Sequence, residues 1–275
     1  MNRIDATFSN LSRAGEKALV AYVTAGDPSP DMTVNAVTAL VAGGADLVEL
    51  GLPFSDPLAD GPVIQRASQR ALTAGFRTSE IFTMIERARR QVAVPLMVMS
   101  YYNPLMQYGI RLFCRDLSRA GGDGLLIPDL PYEEEGELRE EAEAHGLRLT
   151  AFVAPTTTPA RLEHLKDLEG GFVYCVSVTG VTGTDQTISK RVRDVIRWIK
   201  EETLLPVVIG FGVSRPKHVA EVGTFADGAV VGSAFVRILE TASGESQLAV
   251  PDEATIVKKL TQMARELKEG FKMSF

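Results

Sequence analysis

Eight times along this chain a short aliphatic run, rich in β-branched residues, gives way to a segment of helical period. The runs span residues 18–23, 47–50, 95–100, 124–127, 148–153, 172–177, 206–210 and 228–231. They are apolar throughout rather than alternating, as in parallel strands covered on both faces. Helical segments are expected at 31–42, 63–74, 79–90, 109–119, 133–144, 159–168, 189–201, 216–222 and 234–241. Eight such units within 275 residues fit a closed (β/α)₈ barrel better than an open doubly wound sheet, although hydrophobic pattern alone admits both. The reading is a single α/β TIM-barrel domain over residues 1–275. An extra helix at 3–13 precedes the first strand, and a terminal helix at 253–268 follows a loop at 242–252. No sequence motif is seen to repeat from unit to unit.

Composition removes several function classes. The net charge is −6, from 29 basic and 35 acidic side chains, so there is no basic footprint for nucleic acid. No apolar run reaches the length of a membrane span, and the Met1-Asn2-Arg3-Ile4-Asp5 start lacks a leader pattern. Cys114 and Cys175 fall on different elements and are expected as reduced thiols, which points to the cytoplasm. His145, His164 and His218 fall in helical segments without ligand spacing, so no metal site is expected.

The chemistry concentrates after the second run, in Asp46-Leu47-Val48-Glu49-Leu50-Gly51-Leu52-Pro53-Phe54-Ser55-Asp56-Pro57-Leu58-Ala59-Asp60-Gly61-Pro62. An ionised carboxylate is expensive to bury unpaired, so Glu49 needs a partner, a proton or a task. A structural ion pair is the plain alternative. Barrel active sites lie at the C-terminal ends of the strands, which selects Glu49, Asp60 in the following loop and Tyr174 on strand six. Asp60 could equally cap the helix that follows, and Asp56 before Pro57 suits a turn. The glycines of Gly210-Phe211-Gly212-Val213 and Gly232-Ser233-Ala234 follow strands seven and eight, where barrels bind phosphate on a helix N-terminus; otherwise they simply turn the chain. The loop 178–184 carries two glycines and three threonines, suited to a lid or to a solvated connection. Tyr22, Tyr102 and Ile127 near strand ends can line a pocket for a flat ring or pack in the core. Lys17 and Lys190 lie outside the apolar runs, unlike a desolvated Schiff-base lysine. No dinucleotide fingerprint or P-loop occurs.

At these residues the chain resembles the α-subunit family of tryptophan synthase. The stretch from Leu50 to Pro62, with Glu49 before it, is similar to that family's signature. So are Thr24-Ala25-Gly26-Asp27-Pro28, Pro128-Asp129-Leu130-Pro131, Ala154-Pro155-Thr156-Thr157, the stretch from Ser177 to Gly183, and Gly210-Phe211-Gly212-Val213. The resemblance implies a carbon–carbon lyase that splits indole-3-glycerol phosphate without a cofactor. Glu49 would exchange protons with substrate, and Asp60 would hold the indole N–H. Tyr174 would stand beside Glu49. Thr182 and Gly183 would belong to the closing loop, Gly212, Gly232 and Ser233 to the phosphate cradle, and Phe211 and Val213 to the substrate-binding pocket. Tyr22, Tyr102 and Ile127 would line the indole pocket; Tyr22 departs from the phenylalanine common there. The resemblance also implies a pyridoxal-phosphate β-subunit partner in an αββα complex. The loop after strand two and residues 128–132 would lie near it, with Asp56 and Asp129 as coupling candidates. Two alternatives remain at this stage. One is a non-catalytic phosphate-ligand barrel that activates a β-type partner, and the other is a sugar-phosphate isomerase or aldolase.

Overall fold

The computed structural model of the protein describes residues 1–177, 189–210, 212–243 and 251–273. Its sheet contains β1 (Ala18–Thr24), β2 (Leu47–Gly51), β3 (Leu96–Met99), β4 (Gly124–Leu126), β5 (Arg148–Leu149), β6 (Ala151–Val153), β7 (Val173–Val176), β8 (Val207–Gly210) and β9 (Gly228–Val231). Every pairing is parallel, in the order β5-β4-β3-β2-β1-β9-β8-β7-β6. The two ends of that order, β5 and β6, are separated by Thr150 alone. The covalent chain therefore closes the ring, and the fold is the expected (β/α)₈ barrel. The fifth strand is split: its first half pairs with β4 and its second with β7. At the break the Thr150 N–H donates to the Leu125 carbonyl at 2.8 Å, while its buried hydroxyl finds no partner among the described residues.

Two apolar layers follow from the period of two along each strand. Side chains facing the barrel axis include Val20, Leu47, Met97, Leu126, Phe172, Tyr174, Val208 and Val230. Helix α1 (Arg3–Ala14) plugs the N-terminal end of this column. Its buried face is Ile4 and Phe8, and Phe8 lies 5.1 Å from Phe172 between ring centroids. The opposite strand faces, with Leu19, Val48, Leu50, Leu96, Val98 and Ile209 among them, pack under the outer helices. These are α2 (Pro30–Ala42), α3 (Pro62–Thr73), α4 (Glu80–Arg89), α5 (Tyr102–Tyr108), α6 (Ile110–Ala120), α7 (Gly136–Ala144), α8 (Pro159–Leu162), α9 (Lys190–Glu202), α10 (Pro216–Gly223), α11 (Ser233–Glu240) and α12 (Glu253–Gly270).

Three helical expectations change. The short helix α5 was not anticipated, because Asn103-Pro104 reads as a turn; proline is tolerated there because it sits in the first helical turn. The run of acids after Pro131 forms a 3₁₀ turn, Tyr132–Glu134, and α7 starts only at Gly136. The segment after Thr158 gives one α-turn and then a 3₁₀ stretch, Glu163–Asp167, without a side-chain cap from Thr158. Only Leu162 and Leu165 anchor it, too little buried seam to hold a longer helix.

The N-terminal end of the barrel carries a repeated device that the sequence reading did not recognise. Asp46, Asp123 and Asp227 each stand one residue before a strand, β2, β4 and β9. Each backbone N–H donates to the carbonyl of Leu19, Leu96 or Val207, at 2.8–2.9 Å. Each side chain accepts the N–H of that same residue, at 2.7, 2.8 and 3.0 Å. Each carboxylate also meets a cation. Lys268 lies 2.8 Å from Asp46, Arg3 and Arg89 lie 2.8 and 2.7 Å from Asp123, and Lys200 lies 2.7 Å from Asp227. Before β7 no aspartate stands, and Asp5 of α1 accepts the Gly171 N–H while pairing with Arg148. The repeat is a single residue in three of the eight units, too little for a sequence motif to show.

Candidate active site

Glu49 occupies the middle of β2, in register with Tyr22 of β1 and Met97 of β3, on the face toward the barrel axis. It is 1% exposed, and neither carboxyl oxygen has a hydrogen-bond partner among the described residues. The ion-pair alternative is therefore not what the fold provides. Burial, and secondly the charge of Asp60, push the Glu49 carboxyl up to about 8. At neutral pH it is mostly protonated.

The strand ends at Gly51, and the following loop delivers Asp60. This residue is not the cap of α3: that position is Gly61, and it has no side-chain cap bond. The loop turns through an Asp60 N–H to Pro57 carbonyl bond of 3.1 Å, and the Asp60 carbonyl accepts from the Gln65 amide at 2.9 Å. Burial raises the Asp60 carboxyl to about 6, with a hydrogen bond from Tyr101 acting against the rise. The same Tyr101 hydroxyl accepts the Ala59 N–H at 2.9 Å, so one phenol holds both the carboxylate and its loop. Two carboxyl groups of one mouth thus have separated affinities for protons, the higher in the drier site.

Two glycines make room for the tyrosines around this pair. A Cβ on Gly51 would lie 2.0 Å from the Tyr22 hydroxyl, and one on Gly210 would lie 2.0 Å from that of Tyr174. Both rings lie across neighbouring strand ends with their hydroxyls inside the barrel. Burial comes first, and the charges of Glu49 and Asp60 also act, in holding both phenols well above their ordinary values. On the far side Gly232 precedes α11, which begins at Ser233 with no side chain capping its first N–H groups. Gly212 has a φ of +78°, and a Cβ there would meet open space.

Three expected pocket residues lie elsewhere. Ile127 packs in the outer core with Leu125, while Leu126 faces the axis. The Tyr102 side chain feels Glu137 and Glu134 on the outer side, and its N–H donates to the Asp129 carboxylate at 3.0 Å. Its neighbour Tyr101 is the tyrosine that reaches Asp60. Val213 is buried in the outer core. Strand parity was the available signal. Met97, Met99 and Tyr101 share a face, and the register Met99↔Leu126 carries that face to the even residues of β4. Phe152 was also missed; its ring centroid lies 5.5 Å from that of Tyr174. Thr182, Gly183 and Phe211 lie outside the described residues.

A cleft of about 340 Å³ opens at the seam where β4 and β6 part, lined by Ile127, Asp129, Tyr132, Phe152 and His164 among others. It adjoins the barrel mouth through Phe152 and does not contain Glu49. Another cavity, of about 420 Å³, lies away from the pair beside Arg66 and Arg70. Among the described residues no group of three or more His, Cys, Asp or Glu side chains is placed to hold a metal ion. No described helix is long and apolar enough to cross a membrane.

Comparison with known proteins adds the following. Residues 8–271 match the family model described as tryptophan synthase alpha chain. The chain is 52% identical to the tryptophan synthase alpha chain of Chloroflexus aggregans over 241 residues, 87% of this chain and 90% of that one. It is 44% identical to that of Solibacter usitatus over 271 residues, 98% of each chain. Among solved structures, tryptophan synthase subunit alpha from Legionella pneumophila superposes with a TM-score of 0.87 at 34% identity, covering 99% of both chains. A chain of M. tuberculosis tryptophan synthase, in an aminoacrylate-bound form, gives 0.84 at 32% identity, covering 98% of this chain and all of that one.

Proposed function

The chain belongs to the tryptophan synthase alpha chain family, and on that premise we propose which of its groups do the chemistry. It is a carbon–carbon lyase of tryptophan biosynthesis, splitting indole-3-glycerol phosphate into indole and D-glyceraldehyde 3-phosphate. Glu49, protonated at rest, gives its proton to C3 of the indole ring. The bond from C3 to the hydroxyl-bearing carbon then breaks, and its electron pair restores the aromatic ring. The hydroxyl proton passes to the Glu49 carboxylate, the oxygen becomes the aldehyde, and the acid is regenerated. Asp60, ionised at neutral pH, accepts the ring N–H and opposes the positive charge that protonation puts on the ring. One carboxyl must exchange protons and the other must stay charged, and burial separates the two in that sense.

Tyr174 and Tyr22 flank the pair, and the free N–H groups at Ser233, with Gly212 and Gly232, form the phosphate end. Thr182, Gly183 and Phe211 complete the proposed substrate-binding set. The observation that carries the reading is Glu49 itself, an enclosed carboxyl with both oxygens unbonded to protein, next to a second carboxyl. Glu49→Gln is expected to lower indole release by at least about 10²-fold, within the range of acid–base contributions. A folded variant releasing indole at the parent rate removes Glu49 from this role. Asp60→Asn is expected to impair cleavage while keeping glycerol phosphate affinity, which titration of that ligand against both proteins checks.

The partner is a pyridoxal-phosphate β subunit in an αββα complex, and this chain itself works without a cofactor in the cytoplasm. The loop after β2 supports such a contact: Leu58 is 93% exposed at its tip, with Phe54 and Pro57 nearby in sequence. Asp56 and Asp129 would couple the two subunits from that side.

A further inference from the structure

We propose that Arg70 is a positioning residue for the lyase reaction, its guanidinium fixing the span between the Asp60 loop and the phosphate end at α11. The inference rests on the reading of Asp60 as the ring N–H acceptor and of Ser233 as the phosphate end, and it adds what holds the two at a set separation. Asp60 stands two residues before α3, and α11 begins at Ser233. Their separation therefore depends on how α3 and α11 are held together. Val63 and Ala67 of α3 form one buried apolar cluster with Val236 of α11 and Tyr22 of β1. Apolar contact is non-directional and by itself sets the axial position of two helices only loosely.

Arg70 supplies the directional contact. Its Nε and Nη2 donate to the two carboxyl oxygens of Asp27 at 2.8 and 2.9 Å, and its Nη1 donates to Glu240 at 3.2 Å. Asp27 is fully buried in the loop after β1, and the Arg70 side chain is only 9% exposed. Glu240 is the last residue of α11, about 10 Å along that helix from Ser233. Arg66, one turn before Arg70 on the same face of α3, donates to both Glu240 oxygens at 2.7 and 3.2 Å. One guanidinium thus ties three elements: the helix entered from the Asp60 loop, the helix that starts at the phosphate end, and the loop that leaves the Tyr22 strand. A buried ion pair adds little net stability over apolar side chains of similar size. Its distinguishing property is geometric, because a planar fork on a carboxylate fixes angle as well as distance.

The test separates the two ends of the site from the span between them. The probes are indole, glycerol phosphate and indole-3-propanol phosphate, which joins the ring to a phosphate and lacks the hydroxyl whose proton cleavage requires. Arg70→Lys keeps the charge and loses the fork. Titrated as the full chain, it is expected to bind indole-3-propanol phosphate about tenfold more weakly, with indole and glycerol phosphate each within about twofold of the parent, since joining two ends gains affinity only at the matching span. Its kcat/KM for indole-3-glycerol phosphate should fall by about tenfold or more. Glu240→Ala, at a partly exposed position, unties α11 alone and should weaken the joined ligand by about threefold. It carries the test if Arg70→Lys does not fold. Parent-like affinity for the joined ligand in a folded Arg70→Lys, or in Glu240→Ala, overturns the proposal. So does a loss that either end alone reproduces, since that marks local damage at one end. Asp60→Asn checks the underlying reading separately: indole affinity equal to the parent's removes Asp60 as the ring end and leaves the Arg70 outcome to be read on its own.

Discussion

The two ends of this barrel treat carboxylates in opposite ways. At the N-terminal end Asp46, Asp123 and Asp227 each accept a strand N–H and each touch a lysine or arginine. At the C-terminal end Glu49 is as deeply buried as Asp123, and more deeply than Asp46 or Asp227, and among the described residues it has neither. The first arrangement fixes strand register and pays for desolvation with fixed donors. The second leaves a carboxyl ready to lose and regain a proton, at the expense of the fold. A buried acid is therefore not evidence of function until its partners are counted. Between Glu49 and the equally buried Asp123, the absence of partners among the described residues, rather than burial, separates the reacting group from the structural one.

The sharpest way to break the contrast is to remove a satisfied carboxylate. Asp123→Ala takes the countercharge from the Arg89 guanidinium, which burial already pulls below its ordinary value with Asp123 acting against it and which keeps only the Gly121, Val92 and Val94 carbonyls among its acceptors in the described residues, and it deprives the Leu96 N–H of its side-chain acceptor. The expected loss of unfolding free energy is about 3–5 kcal/mol, as for a broken buried pair. Activity per folded molecule should stay within about twofold, since Asp123 lies at the far end of the barrel from the reacting pair. Urea unfolding together with active-site titration of the folded fraction checks both parts. A comparable fall in kcat would mean that the two ends are not independent.

The complementary change acts at the other end with the opposite sign. Glu49 binds its proton more tightly in the folded chain, at about 8, than in an unfolded one, where the ordinary value is 4.5. Between those values the folded state holds a proton that the unfolded state has released. The contribution to stability is therefore lost progressively as pH rises from about 4.5, by roughly 3 kcal/mol by neutral pH. Glu49→Gln has no such titration. Its stability relative to the parent should grow between pH 5 and 8, by up to about that amount, while its indole release falls as described. Parallel urea curves at pH 5, 6, 7 and 8 measure this. A constant difference across the range would mean that Glu49 is ionised in the folded protein and has a partner after all.

How much of this contrast is legible before folding follows from what sequence periodicity can carry. Eight apolar runs separated by helical segments specify the barrel, because parallel strands buried on both faces leave little else. They do not specify the break at Thr150, which depends on how the fifth strand meets its neighbours β4 and β7. Glu49 stands out because a carboxylate among aliphatics is improbable at any depth of a strand. Tyr101 does not, because a loop tyrosine beside another tyrosine has no local mark. Its strand parity with Met97 and Met99 would have separated it from Tyr102. The same parity places Leu126, not Ile127, on the axis. The structural aspartates escaped notice because each acts on a residue of the preceding strand, 20–27 positions earlier in the chain.

The smallest effect lies between the two extremes, at Asp46. Its carboxyl is raised above the ordinary value, because burial outweighs the Lys268 ammonium and the Leu19 N–H that favour the charged form. Asp46→Asn keeps an oxygen for the Leu19 N–H and surrenders only the charge. Lys268 is not stranded, since its ammonium also donates to the Lys17 carbonyl at 2.8 Å and lies 3.7 Å from Glu16. The expected loss is about 1 kcal/mol, the worth of one hydrogen bond, against several for Asp123→Ala. If the two losses are equal, neither the cation left behind nor the backbone N–H bond, which Asn keeps at Asp46, adds to the penalty, and the lost carboxylate charge common to both variants must carry it.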